Sequence, residues 1–119
     1  MRKESLIRAD LVVDRTITIC VTKGRSLHSM HRLLKPRVSI GASGGGADMQ
    51  IADPDISPVH CAVAITEDGV RLYDLDSTSG TYVDDERIQV ADLEHLSAFR
   101  VGSSELVVSI TSNHSLDPL

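Results

Sequence analysis

Val59-His60-Cys61-Ala62-Val63-Ala64-Ile65, then Asp68-Gly69, then Val70-Arg71-Leu72-Tyr73, is the stretch that decides the fold. Val59, Cys61, Val63 and Ile65 alternate with His60, Ala62 and Ala64, a period of two that sends successive side chains to opposite faces of a strand. Cys61 then faces inward, where a free thiol behaves as a small hydrophobe. Asp68-Gly69 signals a tight hairpin, because both residues tolerate positive φ. Val70, Leu72 and Leu75 continue inward on the returning strand.

Working outward, the same period recurs. Ile17, Ile19 and Val21 alternate with Thr18, Cys20 and Thr22, a half-buried strand closed by a turn at Lys23-Gly24-Arg25. Val38-Ser39-Ile40 ends a second strand after Leu33, Leu34 and the breaker Pro36. Gly41-Ala42-Ser43-Gly44-Gly45-Gly46 reads as a mobile loop by composition. Met49-Gln50-Ile51 is a brief strand closed by Asp53-Pro54-Asp55. Tyr82-Val83 precedes a polar turn at Asp84-Asp85-Glu86, and Phe99-Arg100-Val101-Gly102 leads into a last strand over Leu106-Val107-Val108-Ser109-Ile110. Short strands with turn signals about every ten residues predict an all-β sandwich or barrel. The domain is expected over residues 15–112, with residues 1–14 as a leader, helix or strand left open, and residues 113–119 as a frayed tail.

Composition narrows the function classes. The 119 residues suit one domain, and the low aromatic content leaves Val, Ile, Leu and Ala to build the core. The net charge of −5 is unevenly placed: residues 1–45 hold nine Lys/Arg and three Asp/Glu, whereas residues 46–94 hold two Arg and twelve Asp/Glu. An acidic body argues against nucleic acid as partner, since phosphate neutralisation needs Lys and Arg. The basic N-terminal third could dock something anionic, although a solubilising, partly mobile leader is the plainer expectation. Two cysteines, Cys20 and Cys61, make no disulfide framework and no zinc spacing. No stretch approaches the ~18 apolar residues of a membrane span, and the start lacks a signal peptide's apolar run. A cytoplasmic chain without a membrane partner is expected.

Several chemistries fail on spacing. Ser57, His60 and a nearby Asp form no hydrolase triad signature: no Gly-x-Ser-x-Gly elbow is present, and Pro58 follows Ser57. Gly41–Gly46 lacks the Lys-Ser/Thr ending of a phosphate loop. His28 and His31 lie three apart in what reads as a surface turn, without a Cys or carboxylate cluster beside them. Asp53, Asp55, Asp74, Asp76, Asp84 and Asp85 lack the spacing of a calcium loop and read as turn formers. No enzyme, cofactor or metal is expected.

One ordered series remains. It runs Ile40-Gly41, Ala47-Asp48-Met49-Gln50-Ile51, Asp55-Ile56-Ser57-Pro58-Val59-His60, Tyr73-Asp74-Leu75-Asp76-Ser77-Thr78-Ser79-Gly80-Thr81-Tyr82-Val83, Glu86-Arg87-Ile88, Leu96 and Val101-Gly102. In order and spacing, residues 40–102 resemble the forkhead-associated (FHA) family. Its signature runs from Gly-Arg, through Asp-Ile-x-Ile and Ser-Arg-x-His, to Asp-Leu-x-Ser-Thr-Asn-Gly-Thr and a final Ile-Gly. The resemblance implies a two-sheet β-sandwich whose loops at one end bind peptides, most often around a phosphothreonine. It makes Ser57 the phosphate-binding hydroxyl, Thr78 the second donor, and Gly41, His60, Gly80 and Thr81 the scaffold. Ser57 keeps a plainer role open, support of the loop after Asp55.

Three positions depart from that signature: Ala42 stands where the phosphate Arg belongs, Pro58 replaces the second Arg, and Ser79 replaces the peptide-holding Asn. Asp84-Asp85 also replace Asn-Gly. A phosphothreonine carries about −1.5 to −2 charge. Losing a guanidinium contact to it costs roughly 10–100-fold in affinity. Backbone N–H groups of the Gly-rich loop, Ser43, Arg37 or a partner's Arg could compensate. The expectation is a protein-interaction module binding a protein segment around Ser43, Ser57, Thr78 and Ser79, with weak or absent phosphothreonine dependence. The alternatives are a conventional phosphothreonine-peptide reader in kinase signalling and a structural or oligomerising domain. Oligomeric state is left open.

Overall fold

A computed structural model describes residues 15–112; the leader and tail assigned to residues 1–14 and 113–119 lie outside the described residues. Eleven strands make up the described chain: β1 Arg15–Lys23, β2 Met30–Arg32, β3 Arg37–Ala42, β4 Met49–Ile51, β5 Cys61–Thr66, β6 Gly69–Asp74, β7 Thr81–Val83, β8 Glu86–Arg87, β9 Val90–Leu93, β10 Ser97–Val101 and β11 Ser104–Ser112. They form two sheets, one ordered β2-β1-β11-β10-β7-β8 and the other β4-β3-β5-β6-β9. Among the described strands only β3 and β4 pair in parallel. The expected all-β sandwich is what forms, and among the described residues no helix is long and apolar enough to cross a membrane.

Alternation builds the core. Ile17, Ile19 and Val21 of β1 face inward opposite Ile110, Val108 and Leu106 of β11. Across the sandwich they meet Ile40, Cys61, Val63, Ile65, Val70 and Leu72, with Phe99 as the one buried aromatic ring. Each such aliphatic side chain contributes about 1.5–3 kcal/mol on full burial. The outward Ala62 and Ala64 are buried as well, because they sit between longer cross-strand neighbours, Ser39 and Tyr73 for one, Arg37 and Arg71 for the other.

Register places the loops. β3 rises to Ala42, β5 starts beside Ile40 at Cys61, and β6 ends beside Cys61 at Asp74. In the other sheet β10 ends at Val101 beside Thr81, and Lys23 ends β1 opposite Glu105. The β1–β2, β3–β4, β4–β5, β6–β7 and β10–β11 loops therefore share one rim.

Several expectations need correction. Val59 is 40% exposed, not inward, because β5 begins two residues later and the period-two rule stops where the strand does. Leu75 lies beyond β6. The hairpin loop is Glu67-Asp68, with Thr66 opposite Gly69, and only Gly69 takes positive φ. Gly41 and Ala42 belong to β3, leaving a shorter loop that is hydrogen-bonded internally. His28 is in a turn, but His31 is in the edge strand β2. Residues 15–45, assigned in part to a basic leader, build β1, β2 and β3.

Candidate functional site

The rim is built around two carboxylates, Asp53 buried and Asp74 partly buried. Asp53, 5% exposed, accepts from Ser104 Oγ at 2.7 Å, Asp55 N at 2.8 Å and Ser103 N at 2.9 Å, tying the β4–β5 loop to the opposite sheet. Asp74 does the same for the β6–β7 loop: its Oδ1 accepts from the hydroxyls of Ser77 and Thr81, and its Oδ2 from Ser77 N at 3.2 Å. Burial opposes ionisation at both, but hydrogen bonds outweigh it and hold both carboxyls below the ordinary value, from Ser104, Asp55 and Ser103 for Asp53 and from Ser77 and Thr81 for Asp74. Sequence reasoning treated both as turn formers. The only local signal was Asp74 with a hydroxyl three residues later at Ser77 and another at Thr81.

His60 locks the two loops together. Fully buried, it accepts from Ser57 N at Nδ1, 3.0 Å, which makes Nε2 the protonated nitrogen that donates to Gly80 O at 2.8 Å. Beside it, burial pushes the Cys61 thiol up, Asp74 adds to the shift, and Thr81 opposes it. Cys61 is therefore an inert core residue.

The candidate donors do converge. Ser57 Oγ accepts from Thr78 N at 3.1 Å, joining the β4–β5 and β6–β7 loops. That bond uses a lone pair, so the Ser57 hydroxyl hydrogen keeps no acceptor among the described residues. Thr78 is exposed and its hydroxyl is likewise unengaged. Ser43 is exposed on the adjoining β3–β4 loop. Ser79 differs, because its Oγ donates to Asp55 O at 2.7 Å and its hydrogen is spent on closing the loop. Gly41 is where Pro58 passes: a Cβ there would lie 1.8 Å from Pro58 O.

The cation is missing where the signature puts it. Ala42 N donates to Ser57 O at 3.1 Å, so this position adjoins Ser57, yet its methyl group packs on the core. The sequence-level substitutes do not fill the gap. Ser43 N goes to Ile51 O, Gly44 N to Gln50 Oε1 and Gly45 N to Ala42 O, so these three amides are committed inside the loop. Arg37 opens β3 opposite Ala64, five residues and about 16 Å from Ala42 at strand spacing. There it lines a hollow of about 540 Å³ with Pro36, Asp68 and Tyr73 that holds none of Ser43, Ser57, Thr78 and Ser79. A guanidinium that sequence reasoning did not single out reaches the β6–β7 loop from β8: Arg87 Nη2 donates to Ser77 O at 3.3 Å. Its Nε would lie 2.7 Å from a Cβ on Gly80, whose φ is +93°. Exposed Asp55 and Asp76 flank the rim. Among the described residues no group of three or more His, Cys, Asp or Glu could hold a metal ion.

No curated protein matches the chain by sequence. Solved structures do. An FHA domain studied in a structural and functional analysis of phosphothreonine-dependent FHA domain interactions is 26% identical, with a TM-score of 0.69 over 87% of this chain and 99% of that one. The FhaA FHA domain, solved in complex with the intracellular domain of Rv3910, is 27% identical, with a TM-score of 0.67 over 77% of this chain and 98% of its own. The FHA domain of an Arabidopsis thaliana hypothetical protein shares the fold at 18% identity, with a TM-score of 0.75 over 85% of this chain and 90% of that one. The FHA domain family model matches residues 38–102, more than half of the chain. With the sandwich, the loop rim and this match together, the chain belongs to the forkhead-associated (FHA) domain family.

Proposed function

We propose that the chain is a protein-interaction module that holds an extended protein segment across its loop rim, with weak or absent dependence on phosphothreonine. The observation that carries this is Ala42: beside Ser57 the rim offers hydroxyls at Ser43, Ser57 and Thr78 and no guanidinium from β3. Neutral hydroxyls suffice for a peptide carbonyl, which carries no charge to desolvate, whereas a dianion, although it accepts stronger bonds, needs cationic donors to offset its desolvation. Asp55 and Asp76 add like-charge repulsion toward a phosphate. Nothing in this constellation supports turnover, since Ser57 has no base beside it: the His60 ring is spent on Ser57 N and Gly80 O.

Selection from a peptide library carrying both phosphorylated and unphosphorylated threonine tests the proposal. Binders enriched irrespective of phosphate, with amide shifts at Ser43, Ser57 and Thr78, are expected. Enrichment confined to phosphopeptides would reject it. Arg87 favours a second reading, a conventional phosphothreonine reader whose cation comes from β8 instead of β3. In that case Arg87→Gln would abolish phosphate-dependent binding.

A further inference from the structure

The Lys and Arg side chains described in the N-terminal third form no hydrogen bond to Ser43, Ser57, Thr78 or Ser79. From Arg15 to Ala47 the chain carries six Lys or Arg residues and no Asp or Glu, and this stretch forms the β2 edge of the six-stranded sheet. Register decides which way that edge faces. Val21 N donates to Ser29 O at 2.9 Å and Leu33 N to Ile17 O at 2.8 Å. Bonded pairs in an antiparallel ladder recur at every second residue. Ser29, His31 and Leu33 thus turn their peptide groups toward β1, while Met30 and Arg32 turn their N–H and C=O groups outward, where no described residue meets them.

The side chains along this edge are unusual for one exposed to water. Leu27 is 48%, Met30 66% and Leu34 77% exposed, interspersed with exposed His28, Arg32 and Lys35, whereas Arg25 in the β1–β2 turn stands at the rim against Asp53 and Asp55. Lys35 is partly answered by Asp48 at 2.9 Å. Chains blunt a free edge by keeping it short and charged. Three residues of length and Arg32 fit that device; three large exposed apolar side chains oppose it. Open peptide groups, positive charge and spaced aliphatics together describe the complement of an extended acidic strand.

We propose that the β2 edge docks an extended acidic segment of a partner protein, which pairs as an added strand through Met30 and Arg32. Met30 and Arg32 share one sheet face, so on that face the segment sets an Asp or Glu beside Arg32 and an aliphatic residue two positions away beside Met30, with a further acid toward Lys35. An anionic bilayer would match the charge but supplies no strand for the peptide groups. This surface lies apart from Ser57 and Thr78 and needs no phosphate.

The full chain is panned against a displayed library of ten-residue peptides in which every second position alternates Val, Ile or Leu with Asp or Glu and the positions between are Thr or Ser. Enriched binders are expected to slow hydrogen exchange at the Met30 and Arg32 amides. Met30→Pro removes only an outward N–H, a change tolerated at an edge, and should weaken binding about tenfold. Arg32→Glu should weaken it at least as much, and it decides the matter if the proline variant fails to fold. Ser57→Ala should leave it unchanged. Four outcomes overturn the proposal: no enrichment, protection mapping elsewhere, undiminished binding by Arg32→Glu, or an edge that instead captures phosphatidylserine vesicles or a second copy of the chain.

Discussion

Replacing Asp74 should separate the two jobs its carboxylate does. Asp74→Ala leaves the hydroxyls of Ser77 and Thr81 without their acceptor, and these residues are 6% and 0% exposed. A buried unsatisfied hydroxyl costs about 1–3 kcal/mol, so two of them, partly relieved by rotation, cost about 3–5 kcal/mol in total. For a domain of this size each kcal/mol lowers the melting midpoint by about 4–8 °C, so the alanine variant should melt at least about 12 °C lower. Asp74→Asn is the control. Both hydroxyls donate to Oδ1, which the amide retains, and only the 3.2 Å bond from Ser77 N is lost. That change should cost about 0.5–1.5 kcal/mol. Urea unfolding of the three proteins, with hydrogen exchange at Thr78, measures both effects. An alanine variant within about 1 kcal/mol of the parent, or an asparagine variant as damaged as the alanine, would refute this account of the loop.

Acid should unfold the domain through the same carboxylates. Asp48 is held at about 2, chiefly by the Ser39 backbone N–H with Lys35 beside it, and Asp53 and Asp74 are also lowered. A lowered folded value gives stability that is complete above the ordinary value of 3.8 and lost as pH falls through the folded value. The urea midpoint should therefore be level from neutral pH to about 5 and fall between about 4 and 2; a midpoint unchanged at about 2.5 would contradict this. Gly41→Ala should cost more than about 2 kcal/mol in urea titration, since its Cβ meets the Pro58 carbonyl oxygen at 1.8 Å. Asp85→Gly should stabilise by about 0.5–1 kcal/mol by the same measurement, because Asp84 and Asp85 both hold left-handed backbone, φ 50° and 65°, in the β7–β8 turn.

The strands that alternate were legible, and the ones that do not were missed. β1, β4, β7 and β11 stand over the stretches read as strands, and the β5–β6 hairpin forms with its first strand starting two residues after Val59 and its turn at Glu67-Asp68. Met30-His31-Arg32 shows no such pattern and is a strand because β1 templates it and Leu33 anchors its end. β8 has two exposed residues and β9 buries only Leu93, so neither carries a readable face. Within the candidate site, Ser57, His60 and Thr78 were singled out by the family resemblance alone, and the structure brings the loops that carry them into contact. The uses of Ser79 and Asp53 were not legible. Both depend on partners in other loops, Asp55 O for the first and Ser103 and Ser104 for the second, and no local pattern encodes those contacts.

The most direct measurement of the central claim is the ratio of dissociation constants for one rim-binding peptide with and without its threonine phosphate, read by calorimetry at fixed salt. Without a guanidinium beside Ser57, phosphorylation should change affinity less than about tenfold, and Ala42→Arg should raise the preference for phosphate by about 10–100-fold. Micromolar binding by the native chain that vanishes when the phosphate is removed would contradict it.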